Sequence, residues 1–225
     1  MHRVRVRVVE DALDANNTIA RANRADFDRA DVTVVNLMGA PGAGKTALLE
    51  HVLFMPLEGI RVGVLEGDVE GSLDADRLAR VHIPVTQLNT GSGFGGECHL
   101  DANMVRSALP EVPLDEIDLL IIENVGNLVC PALFDLGERA KLVVLSVTEG
   151  DDKPLKYPHM FAAAQLVVVN KVDLAPYVDF DEARFLANAR RANPRIESLS
   201  LSARTGTGLQ AWYDWLRRRR AAMQT

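Results

Sequence analysis

Short, nearly continuous apolar runs recur along this chain at residues 32–37, 61–65, 85–88, 119–122, 142–147, 166–169 and 196–201, and each is read as a strand. Helix-compatible stretches alternate with them at residues 46–53, 74–81, 100–109, 154–164, 181–192 and 209–219. A run such as Leu119-Leu120-Ile121-Ile122 has no polar alternation, so both of its faces should be covered, as in parallel sheets. Strands alternating with helices predict a doubly wound, mostly parallel α/β domain. Ahead of the first core strand, residues 3–9 alternate polar and apolar positions and are read as an edge strand, followed by a charged helix over 11–24. This divides the chain into an N-terminal extension, residues 1–30, packed on a core domain of residues 31–225, with a docking arm as the other reading of the extension.

Composition narrows the class. With 225 residues, 48% hydrophobic and 25% charged, the chain can build one substantial core. A net charge of −6 argues against a nucleic-acid partner, and the run Arg217-Arg218-Arg219-Arg220 is read as a solvated helix end. No run approaches the roughly 18 to 20 apolar residues of a membrane span, and Met1-His2-Arg3-Val4-Arg5-Val6 lacks the apolar segment of a secretory signal, so a cytoplasmic protein without a membrane partner is expected. Two cysteines in a reducing compartment point to a metal pair, a catalytic thiol or core residues rather than a disulfide. No internal repeat is present, and Gly91-Ser92-Gly93-Phe94-Gly95-Gly96 is a flexible loop by composition.

Gly39-Ala40-Pro41-Gly42-Ala43-Gly44-Lys45-Thr46 matches the whole phosphate-loop pattern between a strand and a helix. Backbone N–H groups would cradle phosphates there, Lys45 would reach the β/γ oxygens, and the Thr46 hydroxyl would bind Mg²⁺. Asn170-Lys171-Val172-Asp173 fits a guanine-reading turn, in which one carboxylate accepts from N1–H and the exocyclic amine, and Ser202-Ala203-Arg204 resembles the element that faces guanine O6. GTP is therefore expected over ATP, since the wrong base would leave a buried carboxylate unpaired. Asp68, in Glu66-Gly67-Asp68, is the candidate carboxylate to meet Mg²⁺, directly or through water, and in Glu123-Asn124-Val125-Gly126 the Glu123 carboxylate would serve the metal and the Gly126 N–H the γ-phosphate. Lys45, Asp68, Glu123 and Gly126 are thus the candidate catalytic set, and slow intrinsic hydrolysis is expected because no glutamine stands in the turn.

Cys98, His99 and Cys130 offer two thiols and an imidazole, a soft set suited to Zn²⁺ or Ni²⁺. Their spacing follows no finger pattern, and buried free cysteines are common.

The segments Cys98-His99-Leu100-Asp101-Ala102, Glu123-Asn124-Val125-Gly126-Asn127-Leu128-Val129-Cys130-Pro131 and Glu149-Gly150-Asp151-Asp152-Lys153-Pro154-Leu155-Lys156-Tyr157-Pro158, with Asn89-Thr90-Gly91, resemble the hydrogenase nickel-incorporation GTPase family HypB from about Asn16 to the C-terminus. The resemblance implies a SIMIBI-type P-loop GTPase that assists nickel insertion into [NiFe]-hydrogenase. It also implies a nucleotide-dependent homodimer with Cys98, His99 and Cys130 as the interfacial metal site, a HypA-type partner and the hydrogenase large subunit precursor as client. Three departures stand out: residues 92–97 intervene before Cys98, Asn103 stands where some members have a second histidine, and neither an N-terminal cysteine motif nor a histidine-rich tract is present. Nickel storage is accordingly not expected. Lys153 and Lys156 are further candidates for touching nucleotide or a facing subunit. The other readings are a GTPase chaperone for a urease- or cobalamin-type enzyme, and an ATP-dependent P-loop kinase with structural cysteines.

Overall fold

The computed structural model describes residues 7–54, 57–68, 84–89 and 98–222. A helix α1 (Arg7–Arg29) leads into β1 (Thr33–Gly39), α2 (Lys45–Phe54), β2 (Val62–Asp68), β3 (Val85–Asn89), α3 (Ala102–Ala108) and β4 (Leu119–Glu123). Then follow β5 (Ala140–Ser146), α4 (Lys153–Lys156), α5 (Pro158–Ala163), β6 (Leu166–Asn170), α6 (Glu182–Ala192), β7 (Glu197–Ser200) and α7 (Leu209–Ala221). The strands form one parallel seven-stranded sheet in the order β3-β2-β4-β1-β5-β6-β7.

Why the strand runs lack alternation is visible in where successive side chains go. Leu119 and Ile121 pack with α2 and α7 on one face, around Trp212 and Leu48. Leu120 and Ile122 pack on the other face with Phe27 of α1 and Val105 of α3. Further along that second face, Val143 and Val167 meet Phe161 of α5 and Phe185 of α6. Helices on both faces therefore favour apolar residues at nearly every position of the central strands.

Three expectations change. Residues 7–9, read as part of an edge strand, form the first turn of α1, while residues 1–6 lie outside the described residues. At residues 7–9 the alternation does not outweigh a helix that gains one hydrogen bond for each residue it adds. The helix expected at 154–164 is two, broken at Tyr157 (φ −127°, ψ 55°) because the residue before Pro158 is pushed out of the helical region. The helix expected from residue 100 starts at Ala102, since the Asp101 carboxylate accepts the Met104 N–H at 2.7 Å and caps it. The helix read at 74–81 and the glycine loop at 91–96 lie outside the described residues.

The arginine run is only partly solvated. Arg220 is 7% exposed, with its guanidinium 2.6 Å from the Asp31 carboxylate and 3.8 Å from that of Asp118. Arg61 holds Asp118 from the other side at 2.9 Å, and that hydrogen bond keeps the Asp118 carboxyl below its usual range. Arg220 is thus a clamp between the C-terminal helix and the α1–β1 junction, while Arg217 pairs with Asp214 and Arg218 and Arg219 with Glu197. Among the described residues, no helix is long and apolar enough to cross a membrane.

Candidate nucleotide and metal site

The loop leaving β1 wraps a cavity of about 590 Å³, lined by Pro41, Gly42, Gly44, Lys45 and Thr46 on one side and by Glu66, Glu123, Asn124 and Gly126 on the other. Gly44 has φ +98°, and a side chain there would collide with Asn170 Nδ2, so only glycine fits. The phosphate loop and the base-reading turn are thereby locked together. Asn170 is buried, donates to the Ala43 carbonyl at 2.9 Å and accepts from the Ala203 N–H at 3.0 Å. Lys171 adopts a left-handed conformation (φ 62°) and its ammonium donates to the Gly42 carbonyl at 2.7 Å. Lys45 donates to the Gly39 and Ala40 carbonyls at 3.4 Å, within the loop it would serve.

A second hollow of about 470 Å³ adjoins the first through Gly44, Ala47 and Lys171 and is lined by Asn170, Asp173, Ala203 and Arg204. The Ser202 hydroxyl donates to Asp173 at 2.5 Å, fixing the carboxylate that would read a base. A phosphate cavity joined to a pocket with one oriented carboxylate has the form of a nucleoside-triphosphate site.

Acidic residues gather at the ends of β2 and β4. The Thr46 hydroxyl donates to Glu123 at 2.9 Å. Glu66 pairs in register with Glu123 and is 3% exposed at the cavity wall. Sequence reasoning singled out Asp68 and passed over Glu66, although a period of two puts both on the same side of a strand. The Asp68 backbone pairs with Asn89; its side chain lies outside the described residues. Hydroxyl and carboxylate oxygens converging on a phosphate cavity suit Mg²⁺, with Thr46, Glu123 and Glu66 as the described donors.

The chain folds so that Cys98, His99 and Cys130, 32 residues apart at the extremes, bring their ligand atoms within 4.8 Å of one another. The two Sγ atoms are 3.2 Å apart, far beyond a disulfide bond, and both cysteines are free thiols. Thiolate sulfurs about 2.3 Å from one tetrahedral Zn²⁺ stand about 3.8 Å from each other, so the pair at 3.2 Å would open by about half an ångström to share an ion. The soft donor set therefore fits Zn²⁺ or Ni²⁺. The His99 ring packs on Phe134, with centroids 4.0 Å apart. Val129 and Leu133 flank Cys130 with about half of each exposed. Asn103 is exposed. Lys153 and Lys156 are paired within their own turn, to Glu149 at 3.8 Å and Asp152 at 2.6 Å.

The two sites are joined by a residue the motifs did not single out alone. Asn127 pairs its backbone with Gly39 at the phosphate loop, and its side-chain amide donates to the Cys98 carbonyl at 3.1 Å. Its Oδ1 accepts the Val129 N–H at 2.8 Å, shaping the approach to Cys130.

Fold and site define a nucleotide-binding P-loop protein of the SIMIBI class, and residues 33–200 match the family model described as CobW/HypB/UreG, nucleotide-binding domain. The signal recognition particle receptor FtsY from Elizabethkingia anophelis shares the fold at 16% identity (TM-score 0.51, over 87% of this chain and 71% of that one). Within the class, the hydrogenase maturation factor HypB of Escherichia coli (strain K12) is 51% identical over 94% of this chain and 72% of its own length. The crystal structure of HypB from Archaeoglobus fulgidus superposes with a TM-score of 0.84 at 40% identity, covering 92% of this chain and all of that one. That of HypB from Helicobacter pylori in complex with nickel gives 0.85 at 33% identity over 92% and 96%. The chain belongs to the HypB family.

Proposed function

We propose that this chain is a GTP-hydrolysing metallochaperone that assists nickel insertion into [NiFe]-hydrogenase, with nickel as cargo at Cys98, His99 and Cys130. The observation that carries the coupling is Asn127, bonded at once to the phosphate loop and to the Cys98 carbonyl. In this reading GTP enters with its phosphates along the loop of Gly39, Ala40, Pro41, Gly42, Ala43, Gly44, Lys45 and Thr46, while Asp173 accepts from guanine N1–H and N2 and the Ala203 N–H region faces O6. Lys45 exchanges its loop carbonyls for β/γ-phosphate oxygens, and the Gly126 N–H receives the γ-phosphate. Thr46, Glu123 and Glu66, with Asp68, would hold Mg²⁺, which offsets the phosphate charge.

Ordering of the Gly126 turn draws on Asn127 and so moves Cys98 relative to Cys130, which makes the metal geometry depend on the nucleotide state. Residues 1–30 act as an extension clamped on the core domain of residues 31–225. Exposed Val129 and Leu133 beside the thiols are the surface on which a second copy would close the metal site, and a HypA-type chaperone and the hydrogenase precursor are the partners. Resemblance to HypB proteins, one of them solved with nickel, supports these assignments.

The test is metal titration of the reduced protein with and without a non-hydrolysable GTP analogue, beside phosphate release from GTP and ATP. GTP turnover should exceed ATP turnover, vanish in Lys45→Ala, and leave that variant's metal uptake intact. Cys130→Ala should lower Zn²⁺ and Ni²⁺ stoichiometry. Equal use of ATP, or metal binding blind to both nucleotide and Cys130, would overturn the reading.

A further inference from the structure

Two polar residues interrupt the apolar pattern of the central strands. Asn36 stands in β1 with no exposure, and Lys141 stands in β5 with its side chain 14% exposed. A lysine so placed must have its ammonium satisfied by the protein. Its Nζ donates to the carbonyls of Pro131 at 3.3 Å, Ala132 at 3.2 Å and Phe134 at 2.7 Å, and lies 3.5 Å from the Glu138 carboxylate. Those carbonyls belong to the turn that begins at Cys130 and to the residue whose ring packs on His99.

The chain of bonds continues inward. Glu138 accepts from Asn36 Nδ2 at 3.3 Å, and Asn36 Oδ1 accepts from Asn124 Nδ2 at 3.2 Å. Asn124 Oδ1 then accepts the N–H of Leu100 at 3.1 Å, one residue beyond His99, and that of Val125 at 3.0 Å in the switch turn. One buried polar chain thus begins under Cys130 and ends behind Cys98-His99.

We propose that Lys141, Glu138, Asn36 and Asn124 are positioning residues that hold the two halves of the metal site at coordinating separation. This inference rests on the metal site assigned above. None of the four is a ligand: Lys141 fixes the Cys130 turn and, through Phe134, the His99 ring, while Asn124 fixes the segment that follows His99. The chain acts as a unit because each member's free polar atom is the next member's partner. Groups that orient metal ligands in this way commonly govern affinity by about 10- to 100-fold.

The experiment uses the reduced, metal-free protein and Zn²⁺ alone, with affinity read by chelator competition and unfolding followed in parallel. Lys141→Met and Asn36→Leu each remove one link at similar volume. Each should weaken Zn²⁺ about tenfold at unchanged stoichiometry. The double variant should lose no more than the worse single, because a chain cut twice is still one cut chain. A core variant remote from the chain, Phe185→Leu, separates positioning from general loosening and should keep wild-type affinity despite a lowered Tm. Where Lys141→Met does not fold, Lys141→Gln, which keeps two donors, should show an intermediate loss. Wild-type affinity in the folded variants, or losses that multiply or merely track Tm as in Phe185→Leu, would overturn the proposal. Failure of the underlying metal site has a different signature: wild-type protein that binds no Zn²⁺, or Cys130→Ala that binds as wild type does.

Discussion

Gly126 and Pro41 meet where the switch turn lies on the phosphate loop. A Cβ at Gly126 would stand 2.9 Å from Pro41 Cγ and 3.0 Å from its backbone, so one of the two loops would have to move. Overpacking of this kind costs about 1–3 kcal/mol. Gly126→Ala should therefore weaken GTP about tenfold in equilibrium binding, with less effect on GDP if the turn serves the γ-phosphate. At the other end of the nucleotide site, Asp173 is oriented by Ser202 at 2.5 Å. Asp173→Asn replaces an acceptor with a donor toward guanine N1–H and N2, and should shift the preference in competition binding toward xanthine nucleotides, whose N2 position carries an oxygen. These groups stand out in the sequence because the phosphate-loop and guanine-reading patterns ask for particular residues at close spacing. Glu66 does not, since an acid at a strand end says little until its neighbour across the sheet is known.

At the scale of elements, α1 extends beyond the helix read at 11–24 and is bonded to both candidate metal segments. Asn16 accepts the Ala102 N–H at 2.8 Å and donates to the Asp135 carbonyl at 2.8 Å. Asn23, fully buried, donates to the carbonyls of Ala102 at 2.9 Å and Leu136 at 3.1 Å. Arg24 adds an ion pair to Asp135 at 2.7 Å. The helix thus joins the start of α3, which follows Cys98-His99, to the loop that follows Cys130. Asn23→Leu would leave two buried carbonyls without their donor, at a cost of about 2 kcal/mol. Urea unfolding should show that loss as a lowered midpoint at unchanged slope. Asp101 and Pro158 carry boundary signals, a cap and a proline, but the helix-compatible pattern at 100–109 and 154–164 runs across both, so these two boundaries were missed. The reading of residues 7–9 failed because local alternation carries no information about what α1 docks against.

For the whole molecule, the C-terminal helix is fastened to the start of the sheet through Arg220, Asp31, Asp118 and Arg61. Hydrogen bonds from Arg61 and from Arg220 hold the carboxyls of Asp118 and Asp31, respectively, below their usual range. A carboxylate whose folded pKa is depressed adds stability above its unfolded value, and that stability is lost as pH falls through the folded one. The clamp should therefore be complete at neutral pH and weaken below about pH 4. Asp118→Asn should lower the urea midpoint at pH 7 and flatten its decline toward about pH 3 relative to wild type. An equally steep acid limb in the variant would remove this pair from the account.

By itself the sequence determined the parallel α/β domain, the phosphate-loop motif, the candidate base-reading turn and the candidate thiols. Each depends on short-range pattern: strand runs covered on both faces, glycines that let backbone approach phosphate, a carboxylate at fixed spacing. Only the tertiary structure decided which distant groups meet. It placed Cys98 and His99 against Cys130, Glu66 beside Glu123, and Asn127 between phosphate loop and thiol. It also showed Asn36 and Lys141, anomalies in apolar strands, to be members of one buried chain. Such meetings depend on sheet order and on the path of the loops across the strand ends, which no window of neighbouring residues contains.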